Sequence, residues 1–330
     1  MRARSMDEQS HGEATLQRDG ASSSLRLPYL EPPEREFAMF REVGVFREDT
    51  IVADDGVPLT VLEAGDPGRP TVLLVNALGV SCLFLARLAR VLAREHHVLA
   101  WETRGLPDFA ASAGGDLSVE RHCADAASIL ARKAGDLRAV VAYCSGANIA
   151  VHALVGRVLA AERLCIISPS MEIPTVAART DYQRTMLPIW EKIDQSGPRF
   201  AALVRAMIRQ NWRPHDGTLE SELHHLNNLP FRNNESTHRY ALMQAACLRF
   251  EWPSLLARVT VPTLVLHGAD DDMIHEDTSS AVAAGVADGT FEIVPGCGHF
   301  AVYTSRELHE RVRSFVGTGE HGGTRTIEEE

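Results

Sequence analysis

Three short stretches carry residue types able to do nucleophilic chemistry, and their order is informative. VVAYCSGANIA, residues 140–150, is an apolar run, a turn and a helix-like run, with Cys144 and Ser145 adjacent at the turn. LVLHGADDDMI, residues 264–274, ends an apolar run on Gly268 and then offers Asp270, Asp271 and Asp272. VPGCGHFAV, residues 294–302, sets His299 in a glycine-flanked turn. A nucleophile, an acid and a histidine, each following an apolar run, are the parts needed for covalent acyl chemistry. The histidine takes the proton of the nucleophile, and the acid orients the ring and stabilises its charged form.

The first stretch leaves two possible nucleophiles, and sterics choose between them. On a sharp strand-to-helix turn, the residues two before and two after the nucleophile crowd each other, so both must be small. Around Ser145 those neighbours are Tyr143 and Ala147, and a tyrosine does not fit. Around Cys144 they are Ala142 and Gly146. The apolar run also ends at Cys144, with the helical pattern starting just after it. The expected nucleophile is therefore Cys144.

Elements must exist to hold these turns. Continuous apolar runs at 71–77, 96–102, 137–144, 163–169, 262–268 and 290–296 read as strands covered on both faces, the mark of a parallel sheet between helices. Helical patterns lie between them at 81–95, 118–134, 146–160, 276–287 and 305–316. Two earlier alternating runs, with a turn at Asp55-Gly56, read as an antiparallel hairpin opening the sheet. The expectation is an α/β fold with a mostly parallel eight-stranded sheet. Its core is expected at 26–169 and 260–316. Residues 170–259 break the rhythm, carry helical patches and read as a helical cap inserted over the carboxyl edge of the sheet, where ligands of such sheets bind. Pocket walls are expected from this cap and from near Val80, Tyr143 and Phe300. Residues 1–25 and 317–330 are polar, lack periodicity and read as disordered tails.

Bulk properties exclude several classes. The chain has 330 residues, 45% hydrophobic and 23% charged, which suits a sizeable core. No apolar stretch approaches the roughly 18–20 residues of a membrane span, and the polar N-terminus has no apolar segment of the secretory type. Six cysteines without a C-x-x-C pair suggest a reduced, cytoplasmic setting. A net charge of −11 argues against nucleic acid as a partner. No metal or cofactor site is expected. His224 and His225 are adjacent and face different ways, Cys297 and His299 lack further ligands at zinc spacing, and the glycine-rich GDPGRP and GTGEHGG lack the context of a phosphate loop.

From about residue 45 to 316 the chain resembles the α/β-hydrolase superfamily. Besides the three turns, NALGVS (76–81) stands where the family usually has His-Gly plus a bulky residue. WETRGLPDF (101–109) stands where many members have Asp-x-Arg-Gly, with Glu102 in place of the aspartate. In chains of this fold the acid lies three residues beyond the glycine, which implies Asp271, with Asp270 and Asp272 as turn-forming or solvated carboxylates. The resemblance further implies an oxyanion hole of two backbone N–H groups, those of Ser145 and Leu78.

Most members use serine, so the cysteine narrows the resemblance. Dienelactone hydrolases carry a cysteine but are shorter and lack this cap. The WETRG and CSGA pieces look more like the aminoacyltransferases of nonribosomal peptide pathways, which serve natural-product and antibiotic biosynthesis. That likeness implies transfer of an acyl or aminoacyl group between phosphopantetheine thiols of two carrier proteins, through a thioester on Cys144. The phosphopantetheine would arrive on the partners, the enzyme having no cofactor of its own. Exchange between thioesters is nearly isoenergetic, whereas a serine ester would trap the group. The alternatives are a thioesterase or other ester or lactone hydrolase with the same triad, and a non-catalytic binding protein on this fold. An acidic carrier would need a basic dock, and RFAALVRAMIRQNWR (199–213) offers Arg205, Arg209 and Arg213 at i, i+4 spacing with Arg199 nearby.

Overall fold

A computed structural model describes residues 46–106, 115–210 and 218–317. Eight strands form one sheet: β1 (Arg47–Val52), β2 (Pro58–Ala64), β3 (Thr71–Val75), β4 (His97–Trp101), β5 (Leu137–Tyr143), β6 (Arg163–Ile167), β7 (Thr263–Gly268) and β8 (Gly289–Val294). Their order in space is β1-β2-β4-β3-β5-β6-β7-β8. Only β2 runs against its neighbours, pairing antiparallel with β1 and β4; every other pairing is parallel.

The alternation within the central strands explains why both sheet faces are covered. Val72 and Leu74 of β3, with Val141 and Tyr143 of β5, face one core layer, while Leu73, Val75, Val140 and Ala142 face the other. The first layer is closed by α1 (Ala86–Leu92) and by the last two helices of the chain. The second is closed by α2 (Val119–Lys133) and α3 (Gly146–Val155). The expected helix 146–160 ends at Val155 because Gly156 caps it and Arg157 takes a left-handed conformation, φ 55°.

Between β6 and β7 lie α4 (Asp181–Ser196), α5 (Pro198–Arg209), α6 (Leu219–Asn227), α7 (Asn234–Cys247) and α8 (Trp252–Leu256). Trp190, Ile193, Ala201, Val204, Phe231 and Ala241 make a separate apolar cluster there. The ends of the segment behave differently, since Met171 and Ile173 at one end and Trp252, Leu256 and Val259 at the other pack into the sheet's second layer. The chain finishes with α9 (Glu276–Gly285), α10 (Ala301–Thr304) and α11 (Arg306–Gly317). The two expected tails lie outside the described residues apart from Gly317, and no described helix is long and apolar enough to cross a membrane.

Candidate active site

Cys144 stands at the carboxyl end of β5 with φ 51°, one of three non-glycine residues in the left-handed region among the described residues. That conformation is unfavourable for a residue with a Cβ, by about 1–3 kcal/mol, and persists only where surrounding structure fixes it. Here the fixing is visible. Cys144 N–H donates to Ile167 O at 2.9 Å, and its carbonyl accepts from Ala147 N–H at 3.2 Å as α3 begins. Gly146 must lack a side chain, because a Cβ would meet Asn76 O at 2.4 Å and Val75 O at 2.5 Å. Ser145 is ordinary helical backbone, φ −67° and ψ −14°, and is fully buried. The strained turn is thus centred on Cys144, as the small neighbours require.

Asp271 and His299 come together across two loops that touch through their backbones. Asp270 N–H donates to Cys297 O at 2.8 Å, and Gly268 admits the approach, since a Cβ there would meet Cys297 O at 2.4 Å. Asp270 and Asp272 are exposed, while the Asp271 side chain is buried. His299 Nδ1 lies 2.9 Å from Asp271 Oδ2 and 3.1 Å from Oδ1. Oδ1 also accepts from Met273 N–H and Ile274 N–H, both at 2.9 Å, so the carboxylate cannot swing away. Tyr143 donates its hydroxyl to His299 O at 3.2 Å and packs beside the ring at 5.3 Å between centroids.

The electrostatics follow from this packing. Burial works against the His299 imidazolium, but the charges of Cys144 and Asp271 and hydrogen bonds to both outweigh it and lift the ring to about 10. Burial likewise pushes the Asp271 carboxyl up, yet the His299 charge, the ring hydrogen bond and Ile274 N–H bring it down to about 2. The arrangement favours a protonated ring held against the Asp271 carboxylate.

The loop after β3 is held by the WETRG turn. Glu102 accepts from the Ser81 hydroxyl at 2.8 Å and from Cys82 N–H at 2.9 Å, and Thr103 Oγ1 accepts from Gly79 N–H at 3.2 Å. Arg104 reaches the opposite way, pairing with buried Asp125 at 2.6 Å and with Asp55 at 2.6 Å. Asn76, where the family usually has histidine, donates to the carbonyls of Val80 and Ser81. The Leu78 N–H, expected to face the acyl oxygen directly, instead donates to Ser145 Oγ at 3.0 Å.

A narrow cavity of about 30 Å³ opens against Cys144. Val80, Tyr143 and Phe300 line it as the sequence suggested, and the cap contributes walls as expected, through five residues that sequence reasoning did not single out: Tyr182, Trp190, Asn227, Tyr240 and Gln244. All five come from the inserted helices, and no short-range pattern links them to Cys144. The insertion is tied down beside the acid, with Thr180 Oγ1 donating to Met273 O at 2.9 Å and His275 N–H donating to Gln183 at 3.1 Å. The arginines of α5 differ among themselves. Arg199 is exposed; Arg205 is half-buried, its Nε donating to Phe231 O at 2.9 Å and Nη2 to Arg232 O at 2.5 Å; exposed Arg209 lies 3.4 Å from Arg232 O. Arg205 therefore fastens the insertion rather than standing ready for a partner. Arg213 lies outside the described residues. All six cysteines are unpaired, and the described residues contain no cluster of metal-ligating side chains.

Comparison with known proteins agrees with the fold. Over 105 residues the chain is 27% identical to a 2-hydroxy-6-oxo-6-(2'-aminophenyl)hexa-2,4-dienoic acid hydrolase of Metapseudomonas resinovorans, covering 30% of this chain and 34% of that one. The match thus spans about a third of the length of that relative. The crystal structure of a membrane phospholipase A, a bacterial virulence factor, superposes with a TM-score of 0.65 at 18% identity, over 84% of this chain and 87% of the other. The enol-lactonase of Burkholderia xenovorans does so with a TM-score of 0.61 at 17% identity, over 81% and 99%. At such identities these two likenesses speak for the fold alone. Residues 72–312 match the model of the alpha/beta hydrolase family, and the chain belongs to that family.

Proposed function

We propose that Cys144, His299 and Asp271 act as a catalytic triad and that the protein hydrolyses an activated acyl compound, an ester, thioester or lactone, through a thioester on Cys144. The observation carrying this reading is the placement of one buried histidine between a carboxylate at 2.9 Å and a cysteine in the strained left-handed turn. In the first half-reaction the sulfur adds to the acyl carbon, and His299 protonates the departing alcohol or thiol. In the second, His299 takes a proton from water, which adds to the thioester and returns the sulfur. The hydrolase among the similar proteins favours water as the final acceptor.

A second reading replaces water by the phosphopantetheine thiol of a carrier protein, giving transfer of an acyl or aminoacyl group. The cysteine itself favours it, because a thioester returns its acyl group to a thiol nearly without loss. The narrow aromatic-walled cavity also favours it, since few waters reach a group held there. A labelled acyl thioester of N-acetylcysteamine, given with and without an unloaded carrier protein, separates the two. Hydrolysis predicts labelled free acid at a rate unaffected by the carrier. Transfer predicts label on the carrier and suppressed free acid. Undiminished release of either product by Cys144→Ala contradicts both.

A further inference from the structure

The hydrogen bond from Leu78 N–H to Ser145 Oγ changes what faces the reacting carbonyl. Leu78 does not border the cavity, whereas Ser145 does. The backbone donor is thus taken up by the hydroxyl of a residue that borders the space beside Cys144. Its oxygen accepts from Leu78 N–H at 3.0 Å and from Gln244 Nε2 at 3.4 Å, which fills both lone pairs. The orientation of the Gln244 amide is fixed independently, because the same Nε2 lies 3.5 Å from Leu78 O, an acceptor only. With both lone pairs taken, the hydroxyl proton remains to be donated, and no acceptor for it lies within hydrogen-bonding distance among the described residues.

We infer that the Ser145 hydroxyl, rather than the Leu78 N–H, supplies the second hydrogen bond of the oxyanion hole, with Leu78 and Gln244 as positioning residues that aim it. This rests on the acyl-enzyme reading given above and names a further catalytic residue for it. As the Cys144 sulfur bonds to the acyl carbon, the carbonyl π pair moves onto oxygen. That oxygen takes hydrogen bonds from Ser145 N–H and from Ser145 Oγ–H. When the carbonyl re-forms, the bond to the alcohol or thiol breaks and His299 supplies its proton. One residue then contributes both donors. Because Gln244 belongs to α7, the inserted helices take part in setting the hole.

The test uses the full-length protein with an acyl N-acetylcysteamine thioester and, separately, iodoacetamide. Ser145→Ala is expected to lower kcat by about 10²-fold or more, with KM within a few-fold. Ser145→Thr, which keeps the hydroxyl, is expected to retain most of the rate. Gln244→Leu, which frees one lone pair and lets the hydroxyl rotate, is expected to fall between them. Alkylation of Cys144 develops no oxyanion, so its rate should stay within about twofold in all three variants. Unchanged or increased kcat in Ser145→Ala would overturn the inference, since the Leu78 N–H would then be serving directly. Failure of the underlying triad reading has a different signature, namely wild-type alkylation that His299→Ala leaves unaltered.

Discussion

His299 Nδ1 and Asp271 Oδ2 are 2.9 Å apart with both side chains essentially excluded from solvent. The carboxylate holds Nδ1 toward itself, and Nε2 is thereby committed to the side of Cys144. Asp271→Asn keeps the shape but removes the charge that holds the ring protonated and oriented. Turnover of an acyl thioester is expected to fall by about 10²–10⁴-fold, measured as kcat/KM. Asp270→Asn and Asp272→Asn, on exposed neighbours, are expected to stay close to wild type.

The same pair makes stability depend on pH. The folded-state value of His299 lies well above its ordinary 6.5, at about 10, because the charges of Cys144 and Asp271 outweigh burial. Between these values the folded state binds more protons than the unfolded state, so stability falls as pH rises. The contribution is complete below about 6.5 and gone above about 10. Denaturant unfolding across this range should show a declining free energy in the wild type and a flatter profile in His299→Gln. A wild-type profile as flat as that of the variant would contradict the ion pair.

Gly146→Ala tests the turn itself. The added methyl would stand 2.4 Å from Asn76 O and 2.5 Å from Val75 O, both backbone atoms of β3 and its exit, which cannot be turned aside as a side chain can. A loss of about 3 kcal/mol in unfolding free energy is expected, along with displacement of Cys144 and loss of turnover. Denaturant midpoints and the alkylation rate of Cys144 would report the two effects separately.

Much of the site was legible in the chain because it depends on local rules. The small-x-Cys-x-small pattern at 142–146 reports a steric requirement that the backbone of β3 enforces, and continuous apolar runs locate strands covered on both faces. What was illegible depends on contacts between distant segments. The direction of the Leu78 N–H is decided by a hydroxyl 67 positions away, and the lining by Tyr182, Trp190, Tyr240 and Gln244 comes from helices whose own periodicity describes only their mutual packing. Arg205 shows the same limit. Its spacing with Arg209 suggested a shared exposed face, yet its guanidinium is spent on the carbonyls of Phe231 and Arg232.

That distinction shapes the test of the carrier reading. Under it, Arg199→Glu with Arg209→Glu should weaken loading from an acyl carrier protein by about 10-fold in KM, and more at low salt, as for any exposed electrostatic contact. Activity on N-acetylcysteamine thioesters should not change. Arg205→Glu would instead destabilise the insertion and depress both activities. Equal loading by the double variant would remove α5 as the docking surface.

Serine in place of Cys144 probes why the nucleophile is a thiol. Cys144→Ser should still accept an acyl group from a thioester, since the oxygen ester is the lower-energy product, but should stall in passing it to a second thiol. The readout is an acyl-enzyme that accumulates while transfer stops. Efficient onward transfer by this variant would refute the thermodynamic role assigned to sulfur.

The most direct measurement is the mass of the intact protein, quenched in acid within its first turnovers on an acyl thioester, followed by peptide mapping. A thioester intermediate on Cys144 predicts a mass increase equal to one acyl group, located on the peptide containing Cys144, removed by hydroxylamine and absent from Cys144→Ala, which is also inactive. Turnover without a covalent adduct, or an active Cys144→Ala protein, would contradict it.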